Sequence, residues 1–124
     1  MTDMNIPPEI KPVTWAPGTK KALLSFPKPV ITEIGYALHQ AQIGEKSIDA
    51  KPIKGLGSGV LEIIEDHNTD TYRAIYTVRF EKAVYVLHCF QKKSKSGIST
   101  PQQDMELVKK RLKEAEAIYK ERYL

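Results

Sequence analysis

VLEIIEDHNTDTYRAIYTVRFEKAVYVLHCFQ, residues 60 to 91, is the stretch that decides the fold. Apolar and polar residues alternate with a period of two through three segments, Val60 to Glu65, Thr71 to Phe80 and Ala83 to Gln91. That period marks strands rather than helices. The links, Asp66-His-Asn-Thr-Asp70 and Glu81-Lys82, are short, so the three strands are antiparallel neighbours. In the middle strand Tyr72, Ala74, Tyr76, Val78 and Phe80 face one way, and Arg73, Ile75, Thr77 and Arg79 the other. One face is therefore expected to be core and the other a half-polar surface carrying two arginines. Arg73, near the start of the middle strand, lies toward the same end as Gln91 and Lys92.

Upstream the pattern is helical. A helix is expected from Gly18 to Phe26, because Lys28 precedes Pro29 and is pushed out of helical geometry. A second follows from Pro29 to Ile43, with Val30, Ile34, Ala37, Leu38 and Ala41 on one apolar stripe. Gly44 is placed to end it, and Gly35 inside it suggests close approach of a neighbour. Lys11-Pro-Val-Thr-Trp15 reads as a possible edge strand whose tryptophan packs against a helix. Downstream, Thr100 as N-cap, Pro101 and Gln103 announce a helix from Pro101 to Arg122 with a seam of Met105, Val108, Leu112, Ala115 and Tyr119. The expected architecture is α+β. A helical hairpin covers a small antiparallel sheet, a three-stranded meander with a possible N-terminal edge strand, and a C-terminal helix follows. Residues 1 to 10 form a flexible N-terminus and residues 11 to 124 one domain.

The composition narrows function less than it narrows fold. With 124 residues, 41% of them hydrophobic, and 19 basic against 15 acidic residues, this is an ordinary globule of net charge +4. One cysteine, Cys89, excludes an internal disulfide and a multi-cysteine metal site. No apolar run approaches a membrane span, and no secretion signal is visible, so the expected location is the cytoplasm. His39, His67 and His88 sit on different elements, and neither a metal nor a cofactor is expected. No P-loop, dinucleotide fingerprint or nucleophile elbow is present.

What remains is basic residues on separate segments. Lys92, Lys93 and Lys95 leave the third strand in a segment that holds no acid before Pro101. Lys54 precedes the glycines at 55, 57 and 59, whose backbone amides could approach a phosphate. Strand order puts Lys54 at the end opposite Arg73 unless its loop folds back. His88 shares a strand face with Val84, Val86 and Phe90, and is read either as a satisfied core histidine or as a proton carrier. On a half-polar surface, Arg73→Ala should change stability by no more than about 1 kcal/mol.

Three blocks carry a resemblance: KPIKGLGSGVLEI (51 to 63), DTYRAIYTV (70 to 78) and VLHCFQKKSKSGISTP (86 to 101). Together they resemble the phage-related branch of RelE/HigB toxins, the toxin halves of type II toxin–antitoxin modules. The likeness runs from Lys11 to Leu112 and implies a RelE-like fold. It implies a metal-independent endoribonuclease that cuts messenger RNA on the ribosome and is restrained by a helix-turn-helix antitoxin. By position, Lys54, Arg73, Lys93 and His88 would be catalytic, while Gln91, Lys92 and Lys95 would hold RNA. Arg73 would stabilise the phosphorane and Lys54 would help with proton transfer or charge neutralisation. The segment Gly97-Ile-Ser-Thr100 has no tyrosine or histidine where some members of that branch have one. A non-catalytic RNA- or ribosome-binding protein of the same fold, or a phage remnant that only binds a protein partner, are the competing readings.

Overall fold

The computed structural model describes residues 10–92 and 100–124. Eight elements follow in order: β1 (Val13–Trp15), α1 (Thr19–Leu24), α2 (Lys28–Gln42), β2 (Ala50–Pro52), β3 (Val60–His67), β4 (Asp70–Thr77), β5 (Val84–Lys92) and α3 (Gln102–Tyr123). The sheet has five strands in the order β1-β5-β4-β3-β2. β2 to β5 pair antiparallel, as expected for the meander, while β1 runs parallel to β5, so the sheet is larger than three strands and mixed. β2 was hidden in the segment read as a glycine-rich loop. It has three residues and one is Pro52, a residue that a sheet tolerates at its edge.

The sheet is covered on both faces, which corrects the half-polar expectation. α1 and α2 bury Leu23, Phe26, Val30, Ile34, Leu38 and Ala41 against Ile63, Tyr72, Ala74, Tyr76, Val84 and Val86. On the other side α3 buries Val108, Leu112, Ala115 and Tyr119 against Val60, Ile75, Phe80, Tyr85 and Leu87. Phe80 stacks on Tyr119 at 4.8 Å between ring centroids. It belongs to this second core, since β4 stops at Thr77 and strand alternation no longer governs Phe80, which lies at the bend that leads into the Glu81–Lys82 turn. Two packed layers flanking one sheet are how a short chain hides both of its faces.

α2 follows its sequence closely. Pro29 lies in its first turn, the buried residues are Val30, Ile34, Ala37, Leu38 and Ala41, and Gly44 closes it at φ +83°. The N–H of Gly44 donates to Ala41 O and that of Glu45 to Gln40 O, the paired bonds of a Schellman end. Gly35 differs from expectation: a Cβ there would meet nothing within 4 Å. Among the described residues no helix is long and apolar enough to cross a membrane.

Candidate functional site

The α3-facing side of β3, β4 and β5 holds most of the buried polar chemistry. Register places Glu62 opposite Ile75, Arg73 between Ile64 and Phe90, and Ile75 opposite His88. Strict alternation along β5 would put His88 on the face of Val84 and Val86. The ladder slips instead: Ile75 pairs with His88 but Tyr76 with Val86, leaving Leu87 unmatched. One extra residue reverses the parity from that point. Leu87 enters the α3 core, and His88 reaches Asp104 of α3 rather than the α1–α2 side.

His88 is held at both nitrogens. Nε2 lies 2.6 Å from Asp104 Oδ1, and Nδ1 lies 3.4 Å from Arg111 Nη1. A guanidinium only donates, so Nδ1 presents its lone pair and the proton sits on Nε2, donated to Asp104. The ring stacks on Phe90 at 4.7 Å. Arg111 also donates to Leu87 O at 2.9 Å and Pro17 O at 3.1 Å, tying α3 to β5 and to the turn before α1. To accept a proton, His88 must first give up Arg111.

Arg73 is not on a wet surface. It is only 1% exposed, and its Nη1 donates to Glu62 Oε2 at 3.1 Å. The hydroxyl of Thr100 donates to the same oxygen at 2.8 Å and accepts from Arg73 Nη1 at 3.5 Å. Thr100 therefore binds across to the sheet instead of capping α3, whose N-cap is Pro101 with no side-chain cap bond. The expected capping box is absent, and the start of α3 is fixed by a buried ion pair.

Gln91 and Lys92 continue β5 beside Tyr72 and Thr71 of β4, so Arg73, His88, Gln91 and Lys92 gather at one end of the sheet. Gln91 donates to Asp70 Oδ2 at 2.7 Å. Lys93 and Lys95 lie outside the described residues. Lys54 is exposed in the β2–β3 loop, beyond the end of the sheet where Val60 pairs with Thr77, and does not join this group. The loop does not fold back: Arg79 holds it there, donating to Leu56 O and, at 3.0 Å, to Ser58 O.

A model of the family described as Phage derived protein Gp49-like (DUF891) matches residues 21–113. The chain belongs to that family. The Gp49-like proteins are a RelE/ParE-like toxin family of toxin–antitoxin systems, a class whose members usually pair with an antitoxin. No curated protein matches the chain. The Gp49-like match covers Glu62, Arg73, His88, Lys92, Thr100, Asp104 and Arg111, and leaves out β1 and the last turns of α3.

Within this Gp49-like chain, sequence reading missed Glu62, Asp104, Arg111 and the hydroxyl of Thr100 as site residues. A charged residue at 62 inside the apolar run Val60 to Ile64 was the available signal, since a buried carboxylate needs a cation. On the opposite face, Glu33, Asp49 and Glu65 bring carboxylate oxygens within 4.8 Å of one another. Burial, followed by the Asp49 carboxylate, pushes Glu65 from 4.5 to about 7. Burial raises the Cys89 thiol to about 12, which keeps it protonated and unreactive.

Proposed function

We propose that this chain is the toxin of a type II toxin–antitoxin module, a metal-independent endoribonuclease of RelE-like fold acting on messenger RNA at the ribosome. Family membership supports the toxin reading, and the observation that carries the chemistry is the buried Arg73–Glu62–Thr100 cluster beside Gln91 and Lys92. Cleavage of this kind needs a base for the 2′-hydroxyl, a cation for the phosphorane and an acid for the leaving 5′-oxygen. Arg73 is the cation, since a planar guanidinium donates two parallel bonds to a phosphate. Glu62 takes the proton-transfer role, one of the two that the sequence left open to Lys54. Both of its described bonds fall on Oε2, and Oε1 is the oxygen that accepts the 2′-hydroxyl proton. The 2′-oxygen then bonds to phosphorus to close a 2′,3′-cyclic phosphate, the bond from phosphorus to the 5′-oxygen breaks, and water protonates that oxygen while Glu62 returns its proton to solvent. Lys92, Lys93 and Lys95 hold the backbone and Gln91 lines its path. His88 positions α3, the carrier role being open to it only after Arg111 lets go.

Inducing the protein without its partner tests this reading, with message ends mapped in cells and on isolated RNA with and without ribosomes. Growth arrest and ribosome-dependent new 5′-hydroxyl ends are expected. Glu62→Gln, assayed at a temperature where its melting curve shows folded protein, should remove cleavage, while coexpression of an adjacent helix-turn-helix antitoxin restores growth. One observation favours a second reading, RNA or ribosome binding without cleavage: Arg73 is neutralised by Glu62, and Gly97-Ile-Ser-Thr100 offers no acid. Arrest without new ends, unchanged in Glu62→Gln, would establish it instead.

A further inference from the structure

A cleft of about 380 Å³ opens at the other end of the molecule, between the β2–β3 loop and α3. Gly55 and Leu56 form one wall, Arg79 the back, and Lys109, Leu112, Lys113 and Glu116 the other wall. Three cations against one carboxylate line it. Lys109 and Lys113 are exposed, one helical turn apart, and Lys109 has only a loose 3.8 Å partner in Glu106. Lys54 precedes Gly55 on the loop wall and is exposed as well.

The loop wall is built in a particular way. Gly55, Gly57 and Gly59 have φ of +88°, +82° and +78°, alternating with ordinary residues between them. Such alternation turns successive amides toward one side, where they form an anion-binding concavity. Arg79 occupies the opposite polarity by taking the carbonyls of Leu56 and Ser58. Among the described residues, the turn at 54–55 engages the Leu56 N–H, while no bond to a backbone acceptor is seen for the N–H groups of Gly55, Gly57 and Gly59. Gly55 has open space where a side chain would stand, so a ligand can come close to the backbone there.

We infer that this cleft is a second phosphate-backbone site, which takes single-stranded RNA through Lys54, Lys109, Lys113 and the amides of the glycines at 55, 57 and 59. It deepens the RNA-cleavage proposal but does not depend on the Arg73 end of the sheet. Spaced cations beside a glycine-rich loop suit a chain of phosphates. An acidic peptide, with its bulkier side chains, has less use for a wall of side-chain-free backbone.

The full chain, titrated with a short fluorescein-labelled single-stranded RNA across a range of salt, tests the site. Lys109→Gln/Lys113→Gln should weaken binding at low salt. It should also lower the slope of log affinity against log salt by about 1.4, at roughly 0.7 per lost phosphate contact. Both lysines are exposed, so the variant should keep the parent's melting temperature. The amide resonances of Gly55, Leu56 and Gly57 should move on adding RNA. An unchanged slope overturns the inference, as do loop amides unmoved at saturation. It is also overturned if RNA binding is intact while the variant loses its copurifying antitoxin, which makes the cleft a protein interface. A wild-type chain that binds RNA with the expected slope but never cuts it refutes the nuclease and leaves this site standing. Cleavage together with an unchanged slope does the reverse.

Discussion

At Arg73 the structure changes the meaning of a substitution. On a wet face, Arg73→Ala would cost almost nothing, but here it strands the Glu62 carboxylate, only 7% exposed as a residue, and frees Thr100. Removing one partner of a buried ion pair costs about 3–5 kcal/mol. Urea denaturation should show a loss of that order, whereas Arg73→Met with Glu62→Leu should recover most of it. Growth arrest lost in Arg73→Ala would thus say nothing about catalysis, and Glu62→Gln, which leaves the buried Arg73 guanidinium without its carboxylate, is likewise read only beside its own melting curve. Glu65 gives a second residue-scale test. Its folded-state value, about 7, lies above its ordinary 4.5, so its contribution to stability is full below about pH 4.5 and is lost as pH rises through about 7. Replacing it with glutamine should flatten the fall in Tm between about pH 5 and about pH 8. A variant whose Tm tracks the parent's across that range would show that the carboxyl ionises freely.

At the scale of elements, the β2–β3 loop and the β5 bulge carry the sharpest expectations. Gly59 sits at φ +78°, and a Cβ there would come within 3.1 Å of the Arg79 backbone, whereas at Gly55 it would meet open space. Both alanine substitutions carry the left-handed penalty of roughly 1–2 kcal/mol. Gly59→Ala should lose measurably more than Gly55→Ala in thermal melts, because backbone on both sides must yield. Equal losses would mean that Arg79 shifts freely. The sequence spelled out α2 almost residue by residue, since period, first-turn proline and terminal glycine all agree there. It misled at His88, because a bulge leaves no compositional trace and every parity argument downstream of it inverts. Thr100 misled for a related reason. A threonine before proline satisfies the local rule for capping, while its hydroxyl answers to a carboxylate 38 residues away.

For the molecule as a whole, the two cores on either side of one sheet should melt together. Ile34→Ala on the α2 side and Val108→Ala on the α3 side each remove a side chain that is 0% exposed. Losses of about 2–5 kcal/mol for the isoleucine, and somewhat less for the smaller valine, are expected within a single transition. An early separate transition confined to Val108→Ala would show α3 detaching on its own. The order of elements and the antiparallel meander were legible from period and link length. Of the two sheet edges, the N-terminal strand was legible within Lys11 to Trp15, whereas β2 was not, since three residues beside a glycine-rich loop are too few to show a period. The pairing of β1 has a consequence in time. Val13 lies against Val84, 71 residues further on, and α1 also packs over β5. During synthesis this segment leaves the ribosome well before β5, and its parallel partner is made only when some seventy further residues have followed. Contacts between such distant positions close slowly. The opening segment must therefore wait, solvated and exposed to proteases, until β5 arrives to give it a place.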